Sequence, residues 1–210
     1  ANIVDFVVNI EDYTEFQDFA AQVPNLRDSD PMGAREPADT SSVPKGKHSY
    51  TAVDVRSDVE NLKFIVWAGF NGERLRSGEI CGSGPMEEAE VFLKRLIEAV
   101  HREHRYVSSY IASTRHRQDT VLYPVLEWRS ESHIFLLRLI PPLKWPNKSF
   151  ITPQASIAIK ENSPDAKGFP QVETTVEEKQ EIFDKSGLSR ILAELDIDLQ
   201  EEAESQEPEK

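Results

Sequence analysis

The sequence predicts an α+β fold: a mainly antiparallel sheet of short strands and hairpins packed against one long helix at about residues 85–105, with N-terminal and C-terminal helices. Short apolar runs such as LKFIVWAGF and HIFLLRLI are typical of strands. Asn71-Gly72 follows one such run and is a strong hairpin signal. Because strand and helix patterns do not alternate regularly, an antiparallel sheet is favoured over a parallel one.

The first 47 residues are predicted as a strand, a helix and a long loop. Residues 2–10 are apolar and β-branched, which indicates a strand. Residues 11–23 place their apolar side chains on one helical face and end at Pro24. Residues 25–47 have no periodicity and contain three prolines, so we expect a long irregular, disordered loop.

The next segment is predicted as three strands leading into the long helix. The runs SYTAVDVRS, LKFIVWAGF and ERLRSGEI supply the strands. In the third run, the polar residues Arg74, Arg76 and Glu79 indicate a sheet edge or a solvent-facing side. Pro85 and the acidic first turn after it are typical of a helix start.

The second half is predicted as further strands and then helices. Residues 106–114 fit either an extension of the long helix or a strand, and their serines and β-branched residues favour the strand. TVLYPVLEWR and HIFLLRLI form a predicted hairpin, in which Pro124 requires an edge position or a bulge. ASIAIK is one more short strand, and Thr174 with Glu177 forms a predicted capping box for a helix to about residue 185.

These elements suggest a single α+β domain over residues 1–172, a C-terminal helical segment over 173–200 and an acidic disordered tail over 201–210. The net charge is −13, and Glu173–Lys210 holds 13 acidic and four basic residues. The body is therefore nearly balanced, and nucleic acid or an anionic membrane has no electrostatic attraction to it.

Other composition features bear on compartment. One cysteine excludes an intramolecular disulfide and favours a reducing, cytoplasmic location. No apolar run approaches the ~20 residues of a membrane span, and the N-terminus lacks the basic region of a signal peptide. We expect no membrane insertion.

His101 and His104 are the first candidates for chemistry, because their spacing places them near one helical face. His104, however, continues the apolar stripe of Leu93, Ile97 and Val100. A half-buried histidine that donates to a backbone carbonyl needs no metal. We therefore predict a structural role for the pair and no metal or cofactor.

Cys81 and the basic stretch 94–117 are two further candidates. Cys81 precedes a helix start, which can activate a thiol, but the neighbouring glutamates favour the neutral form. The basic residues of 94–117 alternate with glutamates, which favours an ordinary solvated surface or a partner for the acidic tail over an RNA site. Nucleic-acid binding is therefore not expected.

The C-terminal segment LSRILAELDIDL carries the main functional expectation. Leu188, Ile191, Leu192, Leu195 and Leu199 recur at the spacing of a helix that lies in a groove. These residues either bind another chain or pack on their own domain, and the pattern does not separate the two.

The leading hypothesis is a non-catalytic protein-binding component that binds a protein partner or a second copy through this helix. It would be an adaptor, a chaperone or immunity-type protein, or a subunit of a larger assembly. The alternatives are a small hydrolase or thiol-dependent enzyme that uses Cys81 or the His101–His104 pair, and RNA binding through 94–117.

Overall fold

A computed structural model describes residues 2–29, 36–56, 61–116, 118–141 and 154–199. The helices are α1 (Ile3–Val8), a 3₁₀ helix (Ile10–Tyr13), α2 (Phe16–Gln22), α3 (Met86–Glu103), α4 (Val176–Ser186) and α5 (Leu188–Glu194). The strands are β1 (Arg27–Asp28), β2 (Lys47–Arg56), β3 (Lys63–Asn71), β4 (Arg74–Ser83), β5 (Arg105–His116), β6 (Asp119–Arg129), β7 (His133–Ile140) and β8 (Gln154–Glu161). The predicted α+β class with an antiparallel sheet is confirmed.

The strands form one eight-stranded antiparallel sheet in the order β1-β2-β3-β4-β8-β7-β6-β5. Two runs of consecutive antiparallel strands, β1–β4 and β5–β8, meet where β8 pairs with β4. β4 therefore lies inside the sheet, so of the two predicted alternatives the edge position is wrong, and the solvent-facing side describes Arg74 and Arg76. Arg74 and Arg76 are instead exposed and paired with Glu161 of β8.

The prediction of a strand over residues 2–10 is also wrong, because these residues form α1 and begin the 3₁₀ helix. Asn2 caps α1, and its side chain accepts a hydrogen bond from the Val4 amide at 3.0 Å. The buried residues of this segment follow helical spacing: Ile3, Phe6, Val7 and Ile10. Burial of this stripe outweighs the strand preference of the β-branched residues.

The predicted helix over residues 11–23 is divided at Thr14 and Glu15 into the 3₁₀ helix and α2. The interruption has a tertiary cause, since Leu75 donates its amide to the Thr14 carbonyl at 2.7 Å and Phe16 donates to Glu73 at 2.7 Å. The backbone thus bonds to the start of β4 and not to its own helix.

The segment 25–47 is not irregular throughout. Leu26 is buried, and Arg27 and Asp28 pair with β2 as a short edge strand. Residues 30–35 and the predicted tail 201–210 lie outside the described residues, so the expected disorder of these two segments stays a prediction.

Most of the second half agrees with the sequence pattern. Residues 106–114 lie in β5, as the serines and β-branched residues predicted. Pro124 pairs with Ile111 of β5, while the pairing of β6 with β7 starts one residue later, at Val125. Pro124 thus occupies a local edge. The capping box is displaced by one residue from its predicted place, to Thr175 and Glu178.

The two faces of the sheet are covered unequally. Buried residues of α1, α2, α3, α4 and α5 pack with one face in a single large core, so α4 and α5 share this core with the sheet. On the other face, Ala166 and Phe169 of the loop after β8 cover a smaller core on β5–β8. Among the described residues, no helix has the length and apolarity needed to cross a membrane.

Candidate functional site

The residues predicted to bind a partner lie in the core of their own domain. Leu188, Ile191 and Leu192 are buried, with exposed fractions of 0%, 3% and 1%. Leu195 and Leu199 are partly buried and pack against the same core. Of the two alternatives, the side chains therefore occupy the position expected of a helix that packs on its own domain.

The terminal helix is also shorter than its sequence pattern suggests. α5 ends at Glu194, and Asp196 has a positive φ of 57° that ends the helical path. Glu194 accepts a hydrogen bond from Lys94 at 2.5 Å, and Arg190 pairs with Glu90, so two surface ion pairs connect α5 to α3. These exposed pairs orient the helix but contribute little stability.

The two candidate histidines, His101 in the last turn of α3 and His104 at its C-cap, have structural partners. Nε2 of His104 donates to the Val8 carbonyl at 3.0 Å, and its ring stacks on Phe135 with 4.3 Å between centroids. Nδ1 of His101 accepts a hydrogen bond from Trp128 at 3.3 Å. The described residues contain no group of three potential metal ligands.

Cys81 is a half-buried thiol on β4, paired with Ile65 on β3 and Ser156 on β8. Burial, with a smaller contribution from Glu79, raises the pKa of the Cys81 thiol to about 11. The thiol is therefore protonated at neutral pH, which opposes the thiolate needed for nucleophilic catalysis.

The residue two positions before Cys81 belongs to a polar cluster that joins three strands. Glu79 accepts hydrogen bonds from Arg138 of β7 at 2.5 Å and from Ser156 of β8. The guanidinium of Arg138 lies 4.4 Å from the ring centroid of Phe169. The cluster therefore connects β4, β8 and β7 and holds the loop after β8 against the sheet.

The basic stretch 94–117 does not present its tyrosines to a nucleic acid. Tyr110 is buried, and its hydroxyl accepts a hydrogen bond from the Phe169 amide at 3.1 Å. Tyr106 packs edge-on against Trp128. Lys94 pairs with Glu194, so one residue of this stretch does bind the acidic C-terminal segment.

A second polar cluster, which the sequence pattern did not reveal, joins the 3₁₀ helix to the turn between β6 and β7. Glu11 accepts hydrogen bonds from Ser132 and, at 2.8 Å, from Ser130. Ser132 Oγ also lies 2.8 Å from Nδ1 of the buried His133. The hydrogen bonds from the serines lower the pKa of Glu11, and burial lowers the pKa of His133.

The proton arrangement of this cluster is that of a structural clasp. A carboxylate can only accept, so the Ser132 hydroxyl donates to Glu11. Nδ1 of His133 must then donate to Ser132 Oγ, which is the reverse of what a general base requires. The cluster therefore holds the 3₁₀ helix on the sheet and does not activate a nucleophile.

The remaining feature is an apolar surface on the face of the sheet opposite the helices, which we call the Trp67 surface and define as Ile65, Trp67 and Cys81. Trp67 is 39% exposed, and Ile65 and Cys81 are half-buried. Residues paired across strands share a face, so Thr51, Trp67 and Glu79 form one row and Ile65 and Cys81 the next. This surface could not be predicted from the alternation of β3, because both faces of the strand carry apolar residues.

Replacing Leu192 and Leu195 by Asp is expected to lower the melting temperature of the isolated protein. The buried Leu192 contributes about 1.5–3 kcal/mol and the partly buried Leu195 contributes less, and a buried carboxylate adds a further cost. Thermal unfolding followed by circular dichroism measures the effect, with Ala193→Asp on the exposed side of α5 as the control. An unchanged melting temperature would contradict the packing of this helix on its own core.

Replacing His104 by Ala is expected to destabilise the protein by about 2 kcal/mol and leave its metal content unchanged. The substitution removes a hydrogen bond to Val8 and the stacking on Phe135. Urea unfolding and elemental analysis of the purified protein measure the two quantities. One equivalent of zinc, iron or manganese that is lost on this substitution would refute the structural role.

Replacing Glu11 by Gln is expected to lower stability by about 0.5–1 kcal/mol at pH 7, because Glu11 is half-exposed and its hydrogen bonds are partly screened. Its folded pKa lies below its usual value, so this contribution is present above pH ~4.5 and is lost as the pH falls through the folded pKa. Melting temperatures from pH 3 to pH 7 should converge for the wild type and the variant at the acid end. Glu131→Gln, in the same turn, is the control, and a constant difference across the range would contradict the clasp.

Comparison with models of protein families, with curated proteins and with solved structures found no match for this chain. The functional interpretation therefore depends on the positions, contacts and charges of the residues described above.

Proposed function

We propose that this protein is a non-catalytic protein-binding component and that its partner binds at the Trp67 surface. The supporting observation is the exposed indole of Trp67 on a sheet face that no described helix covers. Tryptophan is enriched among the residues that dominate protein interfaces, because a rigid aromatic side chain buries a large area at low entropic cost.

The position of Trp67 strengthens this proposal. It lies on β3, inside the sheet, so its backbone is fixed by β2 on one side and β4 on the other. Thr51, opposite Trp67 on β2, is 2% exposed and bonded to Ser29, and Glu79, opposite on β4, is bonded to Arg138. An indole held between two ordered neighbours is pre-organised for binding, which lowers the entropy lost on association.

This proposal places the contact on the opposite face of the sheet from the terminal helix that first suggested protein binding. The leucines of that helix are already buried, and their release would cost core packing of several kcal/mol. The Trp67 surface needs no such release. A small apolar patch of this kind suits a single anchoring side chain of a partner better than a broad interface.

Replacing Trp67 by Ala is expected to abolish partner binding while the fold is retained. Peptides selected from a random twelve-residue library against the wild-type protein serve as the partner, and their binding is measured by fluorescence anisotropy. Trp67→Phe should retain part of the affinity. Val91→Ala, which shortens an exposed valine of α3 on the helical side, is the matched control.

The outcome that counts against the proposal is equal binding of the selected peptides to the wild type and to Trp67→Ala. The melting temperature of Trp67→Ala must be close to that of the wild type, because only then can a loss of binding be separated from a loss of the fold. Sedimentation of the two proteins without peptide tests the case in which the partner is a second copy.

A further inference from the structure

We infer that the Trp67 surface accepts an extended acidic segment that carries one apolar side chain between its carboxylates. This inference rests on the proposed function and goes beyond it by naming the chemistry of the partner. It depends on the basic residues that surround Trp67.

Three exposed basic residues lie around Trp67 on this face: Arg27, Lys47 and Lys63. Arg27 pairs with Thr51, which pairs with Trp67, so Arg27 lies in the same row two strands away. Lys63 is four residues before Trp67 on β3, and Lys47 pairs with Asn71, four residues after it. Even numbers of residues keep the same side of a strand, so these positions share a face.

The one described acidic side chain next to Trp67 in this arrangement is already neutralised. Glu79 pairs with Trp67 across the strands, but its carboxylate is bonded to Arg138 and Ser156. Among the described ion pairs, none includes Arg27, Lys47 or Lys63. The described charges around the indole therefore produce a positive local potential, although the chain as a whole carries −13.

The spacing of these charges indicates the conformation of the ligand. Four residues along a strand span ~13 Å, and two strand spacings add ~10 Å. In an extended segment, carboxylates four residues before and after an apolar side chain are separated from it by this same ~13 Å. In a helix the same sequence spacing covers only ~6 Å, so a helical ligand would need a different sequence.

A nucleic acid is the other class of ligand that binds to surfaces with aromatic and basic residues. Single-stranded nucleic acids are bound by several stacked aromatics along a basic groove. Among the described residues of this face, Trp67 is the one exposed aromatic side chain. The single aromatic anchor favours a peptide with one apolar side chain over a strand of stacked bases.

The test uses three nine-residue peptides with a central leucine that differ only at the first and last positions, which are Glu, Gln or Lys. Their affinities for the full-length protein are measured at 50 mM and 300 mM NaCl. We expect the Glu peptide to bind most tightly and to lose affinity with salt. Lys63→Glu and Lys47→Glu should each weaken it about fivefold to tenfold at low salt and strengthen the Lys peptide. Lys185→Glu on α4 is the matched control.

Each outcome supports or overturns a distinct claim. Equal affinities for the Glu and Gln peptides, or no binding of any of the three, overturn the inference that the ligand is an acidic segment. The peptides selected from the random library test binding at the Trp67 surface separately. Binding of the Glu peptide that is unchanged in Trp67→Ala overturns the proposed function itself. If a ten-nucleotide oligouridylate binds more tightly than the Glu peptide, and this binding is lost in Trp67→Ala and Lys63→Glu, the ligand is RNA and the peptide inference is overturned.

Discussion

The pairing of β4 with β8 is the constraint on which the rest of the described structure depends. It joins the strands β1–β4 to the strands β5–β8 over seven residue pairs, from Ser77–Lys160 to Ser83–Gln154. The bonds of Glu79 to Ser156 and Arg138 reinforce this junction on one face. On the other face, α3 links the two strand groups and packs its buried residues into the common core. Without this long-range pairing, each group would leave an open strand edge and half of an apolar face.

The same junction explains why the two faces of the sheet differ. All the described helices pack on the face that α3 occupies, so each helix from α1 to α5 contributes buried residues to the core on that face. The opposite face has one short cover, the loop after β8, which reaches β5–β8 through Phe169 and Arg138. Along β3, Phe64, Val66 and Ala68 are buried in the core, and the residues between them face the opposite side of the sheet. Trp67 is exposed because it alternates with these buried residues and therefore lies on the outer face of the same strand.

Local patterns predicted the elements that form without distant partners. The hairpin at Asn71-Gly72, the helix that became α3 and the strand over 106–114 all follow from periodicity and turn chemistry. The hydrogen bond of His104 to a backbone carbonyl was also predicted, because its spacing from Leu93, Ile97 and Val100 continues their apolar stripe, although His104 is the C-cap residue just beyond α3. The clasp at Glu11 was beyond local reasoning, since Glu11 and Ser132 are 121 residues apart in sequence. α1 was missed for a different reason: its Asn cap and helical spacing were present, but its β-branched composition outweighed them.

The distribution of charge removes an apparent conflict between an acidic chain and an acidic ligand. The acidic excess of the described C-terminal segment lies on α4 and on the flanking residues Glu173, Asp196 and Asp198, while α5 is balanced by Arg190 and Glu194. The buried residues of α4 and α5 pack on the helical face of the sheet. α4 contacts β5 and β6, and β6 is four strand spacings from β3, or about 19 Å in a flat sheet. Charges interact over about 8 Å at physiological ionic strength, so the acidic residues of α4 are screened from a ligand at Trp67, while Arg27, Lys47 and Lys63 are closer to it. At that ionic strength the described charges nearest to Trp67 have a larger effect on which ligand the surface attracts than the described charges of α4.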